Sequence, residues 1–222
     1  MVQPSPPPSP SASPDHPRSS AAGPANEIDA GRRDRPLVAL TFHGQGDPAL
    51  ATALLTEAER SGARLTIFAV GTWLQAYPAM ANRVQTGGHE LANHTLRHLP
   101  MALMDEKQAY EEFRRCADVL LRLTGSAGRW TRPSGTPHTT AALRAAAGRA
   151  GYRSCVVYDV DSLDYTDPGP SAVRARVRAA RAGSIVSLHL GHPGTVAALP
   201  RVLADLAERR LRPVTVSELL SA

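Results

Sequence analysis

Residues 37–51 read LVALTFHGQGDPALA, and this stretch decides how the rest of the chain is interpreted. The apolar run over 37–42 is typical of a buried strand, and Asp47 before a proline is typical of a helix start. Between the two lies His43, followed by a glycine. A strand that ends in reactive polar side chains indicates a functional site at its carboxyl end.

Strand-like and helix-like segments alternate from this point to the C-terminus. The predicted strands are short, and they lie at about 37–42, 64–70, 89–92, 128–132, 153–159, 184–188 and 211–216. Repeated β–α alternation with short connections is typical of a parallel sheet. The chain is short for a complete eight-fold barrel of about 250 residues. We therefore expect an α/β fold, a distorted or reduced parallel (β/α) barrel of about seven strands.

Residues 1–35 differ in composition from the rest of the chain. They are rich in proline, serine and alanine, and their large apolar residues are only Met1, Val2 and Ile28. Such a segment cannot bury enough apolar surface to offset the entropy of ordering. The sequence therefore predicts a disordered linker over 1–35 and one folded domain over 36–222.

Several function classes are excluded or left open by composition. The formal net charge is +5, but no basic run is interleaved with aromatic residues, so nucleic-acid binding is not expected. No apolar stretch of about 18 residues is present, so no membrane span is expected. Cys116 and Cys155 are expected to be buried free thiols, with a single disulfide as the alternative. A proline- and serine-rich linker often follows a removed export signal, so an extracytoplasmic location (cell envelope or secreted) is expected, although the chain shows no signal core.

Polar residues follow almost every predicted strand. These residues are His43, His94, His98, Arg132, Asp161, Asp164 and His189. The carboxyl ends of parallel strands meet on one face of a barrel, and active sites are built there. No glycine-rich phosphate-binding loop follows any strand, which argues against a nucleotide site. The distribution predicts one polar site.

The order of these motifs resembles that of the polysaccharide deacetylases with NodB homology, carbohydrate esterase family 4. The matching segments are TIFAVG (66–71), GHELANHTLRH (88–98), RPSG (132–135), DVDSLDY (159–165) and SIVSLHL (184–190). The resemblance implies a distorted α/β barrel that removes acetyl groups from a polysaccharide, peptidoglycan or chitin-like, with one divalent metal ion. It also implies that His94 and His98 are metal ligands, and we expect them to lie on one face of a helical turn.

Other roles follow from the same resemblance. His189 lies at the position of the general acid, which protonates the departing amine. Asp161 and Asp164 match the region that orients a catalytic arginine, and loop capping is the alternative for both. Arg132 supplies that arginine only with a shift of one residue, because Thr131 occupies the aligned position.

The opening stretch departs from the family pattern. The family has Thr-Phe-Asp-Asp-Gly-Pro, with a general base and a metal ligand as its two aspartates, whereas this chain has Thr41, Phe42, His43 and Gly44. One interpretation is a rebuilt site, in which His43, His94 and His98 bind zinc and Asp47, or an aspartate after residue 160, accepts the proton. The roles of His43 and Asp47 can also be exchanged.

Two other interpretations remain open. One is a noncatalytic carbohydrate-binding module with a deacetylase-like fold. The other is a metal-dependent hydrolase for an acyl substrate that is not a sugar.

Overall fold

The computed structural model describes residues 23–221. The strands are β1 (Asn26–Ile28), β2 (Leu37–Gly44), β3 (Thr66–Ala69), β4 (Glu90–Asn93), β5 (Ser154–Val156), β6 (Val160–Asp161), β7 (Ile185–His189) and β8 (Arg212–Pro213). The helices are α1 (Pro48–Arg60), α2 (Gly71–Ala76), α3 (Ala79–Thr86), α4 (Glu106–Thr124), α5 (Ala141–Arg149), α6 (Pro170–Val177), α7 (Pro193–Glu208) and α8 (Val216–Leu220). A 3₁₀ turn spans Asp164–Thr166.

The strands form a curved parallel sheet. Its order is β4-β3-β2-β7-β6, with β8 beside the start of β2, and β1 pairs with β5. Thr131 connects the two parts, because it bridges Asn93 on one side and Cys155 on the other. All pairs between these strands are parallel. The predicted parallel α/β fold is confirmed, and strand pairing within residues 23–221 leaves the barrel open.

Strand β2 lies at the centre of the sheet, and all eight of its residues are buried. Successive side chains on a strand point to opposite faces. Val38, Leu40 and Phe42 pack in the larger apolar cluster, which includes residues of α1 and α7. Leu37 and Ala39 pack in a second cluster on the other face. His43 has the same parity as this second set, so the strand directs it to the inside of the curved sheet.

The segment before β2 differs from the predicted disordered linker. Residues 26–28 form β1 and pair with β5, and Ala25 is buried. The Arg33 guanidinium donates to Asp159 Oδ2 at 2.9 Å. Strand pairing uses backbone groups, so this polar segment is ordered without many apolar side chains. The domain therefore begins before residue 36, and the first 22 residues of the predicted linker lie outside the described range.

Three further expectations can be compared with the structure. No helix in residues 23–221 has the length and apolar character needed to cross a membrane. Cys116 and Cys155 are free and buried, as expected, and burial raises the pKa of each thiol to about 12. The predicted strand over 153–159 is shorter in the structure, because β5 ends at Val156 and β6 begins only at Val160.

Candidate functional site

A cleft of about 380 Å³ opens at the carboxyl ends of β2 and β7. The register of these two strands sets His43 directly beside His189, and their imidazole rings stack with centroids 4.2 Å apart. Side chains that line the cleft include His43, His98, Tyr158, Tyr165, Ser187 and His189. The predicted meeting of polar residues at one end of the sheet therefore occurs.

Three histidines, of which His43 and His98 line the cleft, converge closely enough to share one ion. One nitrogen from each of His43, His94 and His98 lies within 4.8 Å of the other two. His43 Nδ1 is 2.7 Å from His94 Nε2, and His94 Nδ1 is 2.9 Å from the carbonyl oxygen of Arg132. His98 Nε2 is buried and has no hydrogen-bond partner among the described residues.

The carbonyl oxygen fixes where the protons lie in this cluster. A carbonyl can only accept, so His94 Nδ1 carries the proton and His94 Nε2 is an acceptor. His43 Nδ1–H therefore donates to His94 Nε2. Burial, together with the neighbouring imidazoles, keeps the pKa of His43 and that of His94 well below the usual value. Both rings are neutral near pH 7, which is the form that binds a metal ion.

The segment that carries His94 and His98 is a loop, which differs from the expected helical turn. Thr95 and His98 have φ values of 69° and 56°, in the left-handed region. The Thr95 N–H donates to Asn93 Oδ1 at 2.8 Å, and the Arg97 N–H donates to Glu112 Oε2 at 2.9 Å. The convergence of the imidazoles thus depends on a strained loop held by two side chains, and not on helical periodicity.

The donor set fits a divalent ion that prefers nitrogen ligands. His98 Nε2 is a buried ring nitrogen without a hydrogen-bond partner among the described residues, and the bond from His94 to a backbone carbonyl is typical of metal-binding histidines. Two nitrogens at about 2.0–2.1 Å from a tetrahedral ion would be about 3.3 Å apart. The 2.7 Å separation of His43 and His94 is a hydrogen bond, so ion binding requires the His43 Nδ1 proton to leave and the rings to separate slightly.

Arg132 lies at the floor of the site and is fully buried. Its Nη2 donates to Thr41 Oγ1 at 2.9 Å, and its Nη1 is 3.4 Å from His43 Nε2. The guanidinium also stacks over the ring of Phe68, with 4.1 Å to the centroid. No carboxylate in residues 23–221 forms a salt bridge with it, and burial lowers the pKa of Arg132 to about 9. Arg132 therefore lies against His43, and its guanidinium can only donate hydrogen bonds.

Asp164 contacts His189, whereas the family resemblance implies that it orients an arginine. Its Oδ1 lies 2.7 Å from His189 Nδ1, and its Oδ2 accepts from the His189 N–H at 2.8 Å and from Thr195 Oγ1 at 2.6 Å. Burial alone would raise the pKa of Asp164, but these hydrogen bonds outweigh it and leave the pKa below the usual value. Asp161 caps the backbone N–H of Leu163 at 3.0 Å. His189 Nδ1–H is thus fixed and Nε2 is left free for chemistry.

Asp47 is not brought to the cleft. Its carboxylate accepts from the Ala49 N–H at 2.8 Å and caps α1, and the residue is exposed. This position leaves His43 without the expected carboxylate partner, because no carboxylate within the described range lines the cleft. His138 is not among the residues that line the cleft, and its Nδ1 lies 3.3 Å from Glu27 Oε1.

Three contributors to the cleft are absent from the sequence prediction of catalytic and metal residues. Ser187 lies 3.1 Å from His43 Nε2, and His192 pairs with Asp167 at 2.8 Å. Tyr158 lines the same cavity. The sequence does contain a signal for Ser187: it lies two residues before His189, and alternate residues of a strand share a face, so both side chains are expected on the same side of the sheet.

Comparisons with known proteins agree with this geometry. The protein-family model for "Polysaccharide deacetylase" matches residues 30–155. A peptidoglycan-N-acetylglucosamine deacetylase of Bacillus cereus is 32% identical over 199 residues, which are 83% of this chain and 88% of the relative. A chitooligosaccharide deacetylase of a Bradyrhizobium species is 30% identical over 166 residues, 70% of this chain and 71% of the relative.

A solved structure has the same fold. It is that of a CE4 family pseudoenzyme from Bacillus anthracis, with a TM-score of 0.81, 21% identity, and coverage of 87% of this chain and 68% of that chain. At this identity the similarity concerns the fold alone.

Proposed function

Because the chain belongs to the polysaccharide deacetylase family, we propose that it hydrolyses acetyl groups on an N-acetylated or O-acetylated polysaccharide, through a rebuilt first motif. The observation that carries the proposal is the His189–Asp164 pair, which lies beside the three-imidazole cluster at one cleft, with the His189 ring stacked on that of His43. Relatives that act on peptidoglycan or on chitooligosaccharides support a glycan of one of these kinds. Such a substrate is consistent with a location in the cell envelope or outside the cell.

We propose that His43, His94 and His98 hold a divalent ion, with zinc as the best match to neutral imidazole ligands. When bound, the ion supplies a Lewis acid that polarises the acetyl carbonyl and lowers the pKa of a water molecule. Arg132 is a positioning residue in this scheme. Its buried guanidinium fixes the hydroxyl of Thr41 and faces His43 Nε2.

Because no carboxylate lines the described part of the cleft, we propose that His189 carries out both proton transfers. Asp164 holds His189 Nδ1–H, so Nε2 is free to accept a proton from the attacking water. The water oxygen then bonds to the acetyl carbon, the carbon–nitrogen bond breaks, and His189 returns the proton to the departing amine. Acetate and a free amine are the products. For an O-acetyl substrate the carbon–oxygen bond breaks and the alcohol receives the proton.

Trp73, Trp130 and Tyr165 differ in burial and in position relative to the cleft. Trp73 and Trp130 are buried, and their indole N–H groups donate to Gly46 O and to Ser217 Oγ, so they belong to the core. Tyr165 is 50% exposed, lines the cleft and meets the ring of His189 edge-on at 5.5 Å. Tyr165 is therefore the aromatic side chain that is suited to stack on a sugar ring.

The test measures bound metal and acetate release with the same purified protein. The substrates are N-acetylated chitooligosaccharides and peptidoglycan fragments, with and without added Zn²⁺. We expect about one ion per chain, acetate release that requires it, and a loss of release in His189→Ala with the metal retained. Metal-bound protein that releases no acetate from either substrate would refute the proposal.

A noncatalytic glycan-binding module is the second candidate, and one observation favours it. The hydrogen bond of 2.7 Å between His43 and His94 satisfies both rings without an ion. This candidate predicts that the protein binds the same glycans, for example in a sedimentation assay with peptidoglycan sacculi, yet releases no acetate at any Zn²⁺ concentration.

A further inference from the structure

We propose that Ser187 is a positioning residue for metal binding, because its hydroxyl reverses the direction of its hydrogen bond with His43 when an ion binds. The inference rests on the proposed function, since it assumes that His43 is a ligand. It concerns a contact between β7 and β2 that exists in this chain because a histidine occupies position 43.

The directions of the hydrogen bonds follow from the Arg132 carbonyl outward. That carbonyl accepts from His94 Nδ1–H, and His94 Nε2 in turn accepts from His43 Nδ1–H. A neutral imidazole carries one proton, so His43 Nε2 is then an acceptor. Ser187 Oγ lies 3.1 Å from His43 Nε2 and donates its hydroxyl proton to it.

A metal ion on His43 Nδ1 requires the opposite arrangement. The ring must then carry its proton on Nε2, and a buried N–H needs an acceptor. Two groups of the described residues lie within reach of Nε2, namely Ser187 Oγ at 3.1 Å and Arg132 Nη1 at 3.4 Å. A guanidinium has no acceptor, whereas a hydroxyl can donate or accept by rotating its hydrogen. Ser187 is therefore the acceptor of the metal-bound state.

Burial makes this hydroxyl hard to replace. Ser187 is 1% exposed, so its oxygen is held by packing at the base of the cleft, and its removal takes away the one hydroxyl that reaches His43 Nε2 among the described residues. The strand fixes its position, because Ser187 pairs in register with Thr41 of β2 and with Asp161 of β6. Without the hydroxyl, His43 retains its proton on Nδ1, which is the nitrogen that the ion needs.

The experiment measures Zn²⁺ affinity of the metal-stripped full chain by competition with a chromophoric chelator. Loss of a partner that orients a metal ligand typically costs 10–100-fold in affinity, and we expect a loss of about this size in Ser187→Ala. Ser187→Thr keeps a hydroxyl on a strand that tolerates branched residues, so it should bind within about threefold of the wild type. Ser184→Ala is the matched control: it deletes a buried hydroxyl that contacts Asp159, just before β7, and should leave affinity unchanged.

The results distinguish the two proposals from each other. A wild-type chain that binds no Zn²⁺ refutes the metal site itself. If Ser187→Ala binds Zn²⁺ as tightly as the wild-type chain, the role of the hydroxyl is refuted. It is also refuted if Ser187→Thr binds Zn²⁺ as weakly as Ser187→Ala. If Ser187→Ala does not fold, ¹⁵N NMR of wild-type histidines decides: added Zn²⁺ must move the His43 proton from Nδ1 to Nε2, and a proton that stays on Nδ1 refutes the inference.

Discussion

Replacing Asp164 with asparagine tests the pair that the proposed chemistry depends on. In the structure, Asp164 Oδ2 accepts two hydrogen bonds, from the His189 N–H and from Thr195 Oγ1. An asparagine must keep its single oxygen at that position to preserve both. Its NH₂ group then faces His189 Nδ1, where the wild-type Oδ1 accepts at 2.7 Å.

The magnitude follows from this orientation. An NH₂ group only donates, so His189 Nδ1 must become an acceptor and the ring must carry its proton on Nε2. The nitrogen that faces the cleft is then no longer a base. A positioned general acid–base group contributes about 10²–10⁴-fold, which is about 2.7–5.5 kcal/mol of the activation barrier. We expect kcat of Asp164→Asn to fall by that factor, with KM changed by less than about threefold.

Acetate release at saturating chitooligosaccharide is the readout, with bound metal and thermal melting measured on the same samples. Asp167→Asn is the matched control, because the same substitution is made in the second histidine–aspartate pair, in which the carboxylate is 66% exposed. Its kcat should change by less than about threefold. Equal losses of kcat in the two variants, or a folded Asp164→Asn that retains full kcat, would refute the assignment of His189 as the proton carrier.

Three further predictions concern the domain rather than the reaction. The pKa of Asp164 is lowered in the folded state, so its contribution to stability is present above the unfolded pKa of about 3.9 and is lost as pH falls through the folded value. A Thr195→Val variant lacks one of the hydrogen bonds to Asp164, so its acid-unfolding midpoint should shift to higher pH in a circular-dichroism titration. Cys116 and Cys155 should not react with a thiol reagent at pH 8 until the chain unfolds, and rapid labelling of native protein would contradict their burial. Deleting residues 1–22 should leave the melting temperature within about 2 °C of that of the full chain. Deleting residues 1–35 removes β1 and the Arg33–Asp159 contact, so it should lower the melting temperature by several degrees, and equal melting temperatures of the two variants would contradict the role of β1.

The sheet and most of its helices could be predicted because each depends on local chemistry. The apolar run of β2 predicts a buried strand, Asp47 and Pro48 mark the start of α1, and Gly125 ends α4 with a φ of 75°. These signals lie within a few residues of the element that they define. Strand β1 lacks such a signal, since backbone pairing with β5 orders it and its own side chains are largely polar.

The site could be predicted as a group of residues, but its contacts could not. Strand ends bring His43, His94 and His189 to one face, which follows from topology alone. Whether Asp164 bonds to His189 or to Arg132 depends on the directions of side chains that lie 25 or more residues apart in the sequence. The loop at His94 also depends on backbone angles that a histidine spacing does not specify.

The end of β2 has little room for the second aspartate of the family motif. A β-carbon at Gly44 would lie 2.9 Å from Ala69 Cα and 2.9 Å from Ile67 Cγ2, so position 44 cannot carry a metal-binding carboxylate unless β3 moves. We therefore expect that replacing Gly44 with aspartate alone would not supply a metal ligand, because β3 would have to shift to make room for it. His43 is the remaining side chain at this strand end that faces the other two imidazoles.

The lack of the family's aspartates also changes the charge of the centre. Arg132 is a buried cation without an ion pair in the described part of the chain, and burial lowers its pKa to about 9. Neutral imidazoles add no negative charge, so a divalent ion at this site would lie near the Arg132 cation and would have no aspartate ligands to balance its charge. We expect such an ion to be held less tightly than by a carboxylate-bearing set, and an anion in the cleft to be favoured more strongly. The same electrostatics would stabilise the negative charge that develops on the acetyl oxygen during hydrolysis, which is the step a deacetylase must accelerate.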